Sequence, residues 1–505
     1  MELCHQDGLS QSPALQRLGQ FVRAHRQQWT QGTPDWEQFE HELHQHIQAL
    51  EQELLSAELA RYDVSAAEIE VEGVTYHPTL TATETYQSAA GPVTVSRHLY
   101  RPAGRGSKSI CPLELRAGII AGYFTPRAAR QAAFVMAHLT PGESEALFDE
   151  LEYMRPSRAS LDRLPKTLSK HWEKQRQDWE AALRTQETVP LEARVMALSV
   201  DGVMAPMKAG AAERRAQQTE AGKHASGPTG HQEVGCGTVA LYDRDGERLH
   251  TVRYGRMPER KKVTLQQQSE AEASSLLAVR PDLRRVYLAD GAKDNWRLLR
   301  ELEQTLPPPA QPCVEIVDFY HACDHLKNAC DAAWGESTAR SQAEFERLKT
   351  LLKEADDGAE RLIRVLKYQR ARARGHKRQR LTAELTYFRN QRPHMDYATY
   401  RRHGLPIASG VIEAACKTLV TQRLKRSGMA WTPAGGQAIL TLRSLIQSQR
   451  WPAAWELLRA DFHQTVVVRA APARPNVTLR EQPVEAQPMM TIPNRIEFGA
   501  LPLAV

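Results

Sequence analysis

Three acids set far apart in the chain have the types and settings that could do chemistry together: Asp201 and Asp290, each followed by glycine, and Glu413, a few residues into a helix-patterned stretch. Each aspartate closes a short apolar run, Val195 to Val200 and Arg285 to Ala289, as a residue at the end of a buried strand would. Two strand-end carboxylates and one on a facing helix would form an all-oxygen cluster whose like charges repel. Mg²⁺ or Mn²⁺ would resolve that conflict, since such ions favour carboxylate oxygens and retain waters or substrate phosphates. Two ions about 3.5–4 Å apart serve phosphodiester chemistry by activating the attacking oxygen and stabilising the leaving one. On this reading Asp201 bridges the two ions, and Asp290 and Glu413 each complete one. Plainer readings stand beside it. Either Asp-Gly could be an ordinary tight turn, and Glu413 could pair with Lys417 one helical turn on.

The elements that must position these acids follow a recognisable order. From Glu192 the pattern gives strands at Val195–Val200, Glu233–Leu241 and Arg248–Tyr254, the last two around the turn Asp243-Arg244-Asp245-Gly246. A helix at Thr264–Val279, a strand ending at Asp290, a helix at Asn295–Leu306, a strand at Val314–Val317 and a helix through Leu326 follow. This is the order of a ribonuclease-H-like mixed α/β sheet, with the first strand central and the fourth beside it, so Asp201 and Asp290 are expected at one sheet edge. Met204 to Gly230 reads as a long polar loop. Asp318 also ends a strand and rivals Asp290 as the second acid, while His321 three residues on could be a structural helix-start histidine. Ser409 is the expected N-cap of the Glu413 helix and Gly428 its stop.

Between Arg361 and Arg380 lie nine Lys or Arg and no acid. Arg370, Arg372, Arg374, Lys377, Arg378 and Arg380 form a stripe suited to a phosphate backbone, the alternative being a solvated charged face. Lys417, Arg423, Lys425 and Arg426 after Glu413 are further candidates for DNA contact. Trp431 either stacks on a base or closes the helix as core.

The set L-S-V-D-G-V (Leu198 to Val203), L-A-D-G-A (Leu288 to Ala292), D-F-Y-H (Asp318 to His321) and G-L-P-I-A-S-G-V-I-E-A-A-C-K (Gly404 to Lys417), followed by R-L-K-R-S-G-M-A-W (Arg423 to Trp431), resembles the ISKra family of insertion-sequence transposases. More distantly it is similar to Mutator-like transposases. The likeness covers roughly residues 194 to 450. It implies a DDE-type DNA strand cleavage and transfer reaction on the ends of a mobile element, with Asp201, Asp290 and Glu413 as triad and metal ligands, two Mg²⁺ (or Mn²⁺) ions, DNA ends and target DNA as partners, and a homo-oligomer assembled on DNA. Asp318 and His321 match a D/C-x-x-H signature near the active site. Ala408 stands where the family's I-G-S-G block has glycine. A catalytically inactive or domesticated DNA-binding derivative, or a structure-specific nuclease, is the alternative.

The remaining sequence bounds these expectations. At 505 residues, 41% hydrophobic and with net charge +6, the chain is long enough for several domains. The divisions expected are a helical region 1–65, a small β-hairpin module 66–115, a helical, helix-turn-helix-like DNA-binding region 116–190, the first part of the catalytic core 191–335, a basic helical insertion 336–400, the core's final helices 401–450, and a C-terminal helix with a flexible tail 451–505. Pro165 is expected to disturb a recognition helix in the third of these. No apolar run reaches membrane-span length and no secretory signal is read at Met1–Gln6. Seven scattered cysteines without a CxxC argue for a reducing compartment and against a zinc ribbon. The expected location is the cytoplasm, on the nucleoid when bound.

Overall fold

The computed structural model describes residues 12–104, 108–208 and 230–469. The Met1–Gln6 segment, part of the basic turn before Lys108, most of the polar loop after Met204 and the Pro-punctuated stretch from 470 on lie outside the described residues. No helix among the described residues is long and apolar enough to cross a membrane.

The chain opens with a helical hairpin, α1 (Pro13–Gln28) and α2 (Trp36–Ala60). The side chains of Ser12 and Asp35 accept the first free amides of the two helices, and Phe21 stacks on Phe39 at 5.6 Å between centroids. Next, β1 (Glu68–Val71), β2 (Val74–Ser88) and β3 (Gly91–Pro102) pair antiparallel, the β2–β3 hairpin being much longer than the short module expected. Beyond α3 (Pro112–Ala117) come α4 (Pro126–His138), α5 (Pro141–Leu151), α6 (Arg158–Lys174) and α7 (Arg176–Gln186).

The helix-turn-helix expectation is altered here. Residues 152–157 separate α5 from α6, with Glu152 left-handed at φ 58°, so the connection is no tight turn. Pro165 sits buried inside α6 and does not break it, because that face of the helix, with Leu161, Leu164, Leu168 and Trp172, packs into a core. Arg163, Lys166 and Lys170 remain exposed on the opposite face.

The second sheet holds five strands: β4 (Val195–Pro206), β5 (His231–Tyr242), β6 (Arg248–Arg256), β7 (Arg284–Ala289) and β8 (Val314–Val317), in the spatial order β6-β5-β4-β7-β8. β4 is central, antiparallel to β5 and parallel to β7, and β7 is parallel to β8. Helices α8 (Val263–Val279), α9 (Lys293–Thr305) and α10 (Phe319–Trp334) connect and cover the strands. The central strand runs past Asp201 instead of stopping there. It stays paired with β5 from Val195↔Tyr242 to Pro206↔His231, so Gly202 is a strand residue and not the start of a turn.

Residues 336–400 are helical as expected: α11 (Ala339–Glu354), α12 (Gly358–Arg372), α13 (Gly375–Gln391) and α14 (Tyr397–Arg402). They form no separate body. Leu348, Leu362, Leu366, Leu385 and Phe388 share one continuous core with the sheet residues Val286, Leu288 and Ile316. The Glu413 stretch follows as α15 (Gly410–Ala415), a π-helical turn Cys416–Thr421 and one further turn, α16 (Gln422–Leu424).

Helices α17 (Pro433–Gln447) and α18 (Trp451–Asp461) then pack with α4 and α6 through Leu442, Leu445, Trp451 and Trp455. The expected C-terminal unit is therefore not independent. Its last described strand, β9 (Val467–Arg469), crosses back to the N-terminal module and pairs antiparallel with β1, giving a four-stranded sheet in the order β3-β2-β1-β9.

Candidate active site

Strand register brings the aspartates together. The parallel pairing of β4 and β7 runs to Ser199↔Leu288, so two residues further on Asp201 and Asp290 stand side by side. The β7–β8 pairing ends at Ala289↔Val317, which sets Asp318 beside Asp290, and the Asp318 amide donates to the Ala289 carbonyl at 2.9 Å. Three aspartates thus lie level with one another across three adjacent parallel strands, Asp201 within β4 and Asp290 and Asp318 just beyond the last residues of β7 and β8.

They differ in what their oxygens do. Asp201 Oδ1 accepts the Gly202 amide at 2.7 Å, and Oδ2 lies 3.6 Å from Cys416 Sγ. Asp290 Oδ1 accepts the Ala292 amide at 2.9 Å and Asn295 Nδ2 at 3.2 Å. Asp318 is 0% exposed. Its Oδ1 accepts the His321 amide at 2.6 Å, capping α10, and its Oδ2 accepts the amide of Ser409. Burial separates Asp318 from the other two: with no exposed surface it is out of reach of DNA, and its two amide bonds fasten the loop that leads to Glu413.

That loop and the segment beyond Glu413 are secured at both ends. At the start, the Phe319 amide donates to the Ile407 carbonyl at 2.9 Å beside the Asp318–Ser409 bond. At the far end Trp431 bridges in parallel fashion to the extended tail of β4: its amide donates to Pro206 O at 3.0 Å and its carbonyl accepts Lys208 N at 2.8 Å. The continuation of β4 past Asp201 is what makes this second fastening available. Ser409 occupies the N-cap position but makes no side-chain cap; its backbone amide is held instead. Glu413 is exposed at the rim. Among the described ion pairs Glu413 and Lys417 form none, so the simple helical pair does not account for the acid. The π turn begins three residues after Glu413 and points Cys416 at Asp201; such turns recur at functional sites.

Electrostatics couple the acids. Burial pushes the Asp201 carboxyl up; the Gly202 amide opposes this, and the charge of Asp290 adds to it. Desolvation raises Glu413 as well, followed by repulsion from Asp318, Asp201 and Asp324, while His321 acts in the opposite sense. An oxygen-only donor set that resists its own ionisation in this way suits a hard divalent cation. Among the described residues no three His, Cys, Asp or Glu side chains stand close enough to hold one ion together. The acids are neighbours within electrostatic reach and not yet a coordination shell.

Several residues at the site carry no signal in the sequence. Lys262 Nζ reaches Glu233 Oε1 at 2.9 Å and Asn295 Oδ1 at 3.3 Å, and Asn295 in turn donates to Asp290. Lys261 and Lys262 are both left-handed, at φ 58° and 53°, a strained backbone of the kind that clusters at active sites. His321 packs edge-on against His325, whose Nδ1 lies 2.6 Å from Glu384 Oε2 of α13.

The basic candidates divide. Arg423 is 1% exposed, lies over the Trp431 ring at 5.3 Å and donates to the Met136 carbonyl at 3.4 Å. It is a core residue and not a phosphate contact; burial, then Arg443 and Arg426, lower it to about 10. Trp431 donates through Nε1 to Leu424 O at 2.9 Å and packs with Leu419, Leu424 and Ile412, which is its core reading. Arg426 is half-committed, paired with Glu143 at 2.6 Å. Lys417 and Lys425 are exposed. In the stripe, Arg361 and Arg364 pair with Asp357, whereas Arg374, Lys377 and Arg378 are exposed around the α12–α13 corner, with Arg370 and Arg380 part-buried beside them. Arg372 lies over the Tyr368 ring at 5.2 Å, and Lys377 Nζ reaches the Ala333 carbonyl at 2.5 Å.

No protein-family model matches this chain, and comparison with curated proteins returns no match.

Proposed function

We propose that this protein is a DNA transposase that binds the ends of a mobile element and carries out DDE-type strand cleavage and transfer. One observation carries the reading: the parallel register of β4 and β7 sets Asp201 beside Asp290, and the segment bearing Glu413 is fastened to Asp318, just beyond β8, at its start and to the tail of β4 at its end. The strand order, with β4 central and β7 beside it, is the one expected of a ribonuclease-H-like domain, and it supports the same conclusion.

Asp201, Asp290 and Glu413 would hold Mg²⁺ or Mn²⁺, which supplies activation of the attacking oxygen and stabilisation of the leaving oxygen. The chain's own residues arrange the rest. Asn295 and the Ala292 amide fix one oxygen of Asp290, and among the described residues no bond engages the other. Asp318 sets where the Glu413 helix begins, and the Trp431 bridge sets where its segment ends. Arg374, Lys377 and Arg378 present positive charge to a phosphate backbone at the α12–α13 corner.

The test uses purified protein, Mg²⁺ and a plasmid carrying the genomic DNA that flanks its own coding sequence. Strand cuts at two borders are expected, lost in Asp201→Ala, Asp290→Ala and Glu413→Gln with DNA binding retained. Metal-dependent cutting that survives in Glu413→Gln overturns the triad, and a wild-type protein that neither binds nor cuts this DNA overturns the transposase reading.

A further inference from the structure

Helix α13, in the basic helical segment, forms one wall of the acidic site. Gln391 Nε2 donates to the Gly291 carbonyl at 3.1 Å, directly after Asp290. Gly291 has φ +96°, and a Cβ there would lie 3.1 Å from Gln391 Nε2 and 3.4 Å from Tyr387 Cε2, so both side chains press on the Asp290–Gly291 turn. Tyr387 is itself held by its neighbours: its ring stacks on His325 at 3.6 Å and 16°, and Glu384 orients that histidine from the same helix. Yet the Tyr387 hydroxyl oxygen is buried with no hydrogen-bond partner among the described residues.

A buried phenol without a partner forfeits its hydration and gains nothing in exchange, so its presence calls for an explanation. Its surroundings offer one. The ring edge meets Gly291, the residue after Asp290, and burial, then Asp290 and Asp318, push the hydroxyl well above its ordinary range, so it stays a neutral O–H donor. Asp318 has both oxygens engaged by backbone amides, whereas Asp290 has engaged only Oδ1 among its described bonds.

We propose that Tyr387 is a positioning residue for Asp290, its hydroxyl donating to the Asp290 carboxylate when a divalent cation draws the acids together. This rests on the reading of Asp201, Asp290 and Glu413 as a cation site. Outer-shell donors of this kind orient a ligating carboxylate, and their loss weakens metal affinity by about 10–100-fold. The helical segment before Glu413 then does two jobs: its corner carries the bases, and its last full helix shapes the acidic site.

Mn²⁺ alone is the probe, its binding followed by calorimetry and by the rise it causes in the Tm of the full-length protein. Wild type is compared with Tyr387→Phe, which removes one oxygen and keeps the stack on His325. The variant is expected to bind Mn²⁺ at least about tenfold more weakly, while its Tm without cation equals or exceeds that of wild type, because an unpaired buried hydroxyl has been removed. Equal Mn²⁺ affinity in the two proteins overturns the proposal. So does a lower cation-free Tm in the variant with unchanged affinity, which assigns Tyr387 to packing alone. If wild type itself binds no Mn²⁺, or binds it equally after Asp290→Asn, the cation-site reading fails and this inference with it.

Discussion

Replacing Asp318 by asparagine should loosen the Glu413 segment without opening a cavity, because the two side chains have nearly the same shape. The carboxylate accepts two backbone amides, His321 N on Oδ1 and Ser409 N on Oδ2, at a position with no exposure. An asparagine can accept from only one of them; its NH₂ must then face the other N–H, donor against donor. One charge-assisted bond is lost, worth about 1.5–3 kcal/mol, and the amide it served is left buried and unpaired. Capping of α10 is the local bond, so the asparagine oxygen is expected to stay on His321 N and the loss to fall on Ser409. At 1.4 kcal/mol per factor of ten, the Ser409 amide should exchange its hydrogen about 10–100-fold faster, and faster exchange should spread through α15. Hydrogen–deuterium exchange on a peptide spanning residues 405–415 reads this directly. The reasoning is refuted if exchange there is unchanged, or if it quickens equally in β4 and β8, which would signal general unfolding.

Changing Arg370, Arg372, Arg374 and Arg378 to alanine together should weaken duplex DNA binding and flatten its dependence on salt, by up to about 0.9 in log–log slope for each phosphate no longer neutralised; an unchanged slope returns the stripe to a solvated face. Arg423→Met, by contrast, should leave that slope as it is in the same titration, since the guanidinium is buried against Met136 and Trp431. Gly404 has φ +64° and an added Cβ would collide with the Arg244 carbonyl at the β5–β6 turn, so Gly404→Ala should cost about 2 kcal/mol or more in chemical denaturation; a cost under about 0.5 kcal/mol refutes this. Burial lowers His250 below the ordinary histidine value, and its Nε2 is buried without a partner among the described residues. A depressed folded value means the folded state resists protonation, so this contribution is complete above about pH 6.5 and fades as pH falls below it. Wild type should therefore lose more Tm between pH 7.5 and 5.5 than His250→Gln does, and equal losses would exclude the histidine as a cause.

The neighbouring placement of Asp201 and Asp290 is legible in the sequence because two short apolar runs mark β4 and β7, and parallel pairing of those strands sets the two acids side by side. What escapes it depends on partners remote in sequence. Gly202 looks like a turn, yet β5 supplies pairing on to Pro206, and only the folded sheet reveals that the strand continues. Asp318 looks equivalent to Asp290 until its burial and its bond to Ser409 set it apart. Arg423 reads as surface charge on a regular helix. The π turn Cys416–Thr421 inserts one residue into the helical phase, a rotation of about 100°, and residues beyond it face elsewhere. Tyr387 and Gln391 give no motif at all, since their role comes from where α13 lands. The C-terminal pairing of β9 with β1 is equally hidden, being carried by three residues.

That last pairing has a bearing on how the protein is made. Arg469 meets Glu70 across 399 positions, so the outer edge of the first sheet lacks its neighbour until nearly all described residues have been synthesised. At about 5–20 residues per second, the ribosome takes roughly 20–80 s to deliver that strand. Throughout that interval β1 offers its unpaired backbone to any other extended chain. Newborn copies on one messenger are the nearest such chains, so a chain that stops after β3 and before Val467 keeps that edge of β1 uncovered.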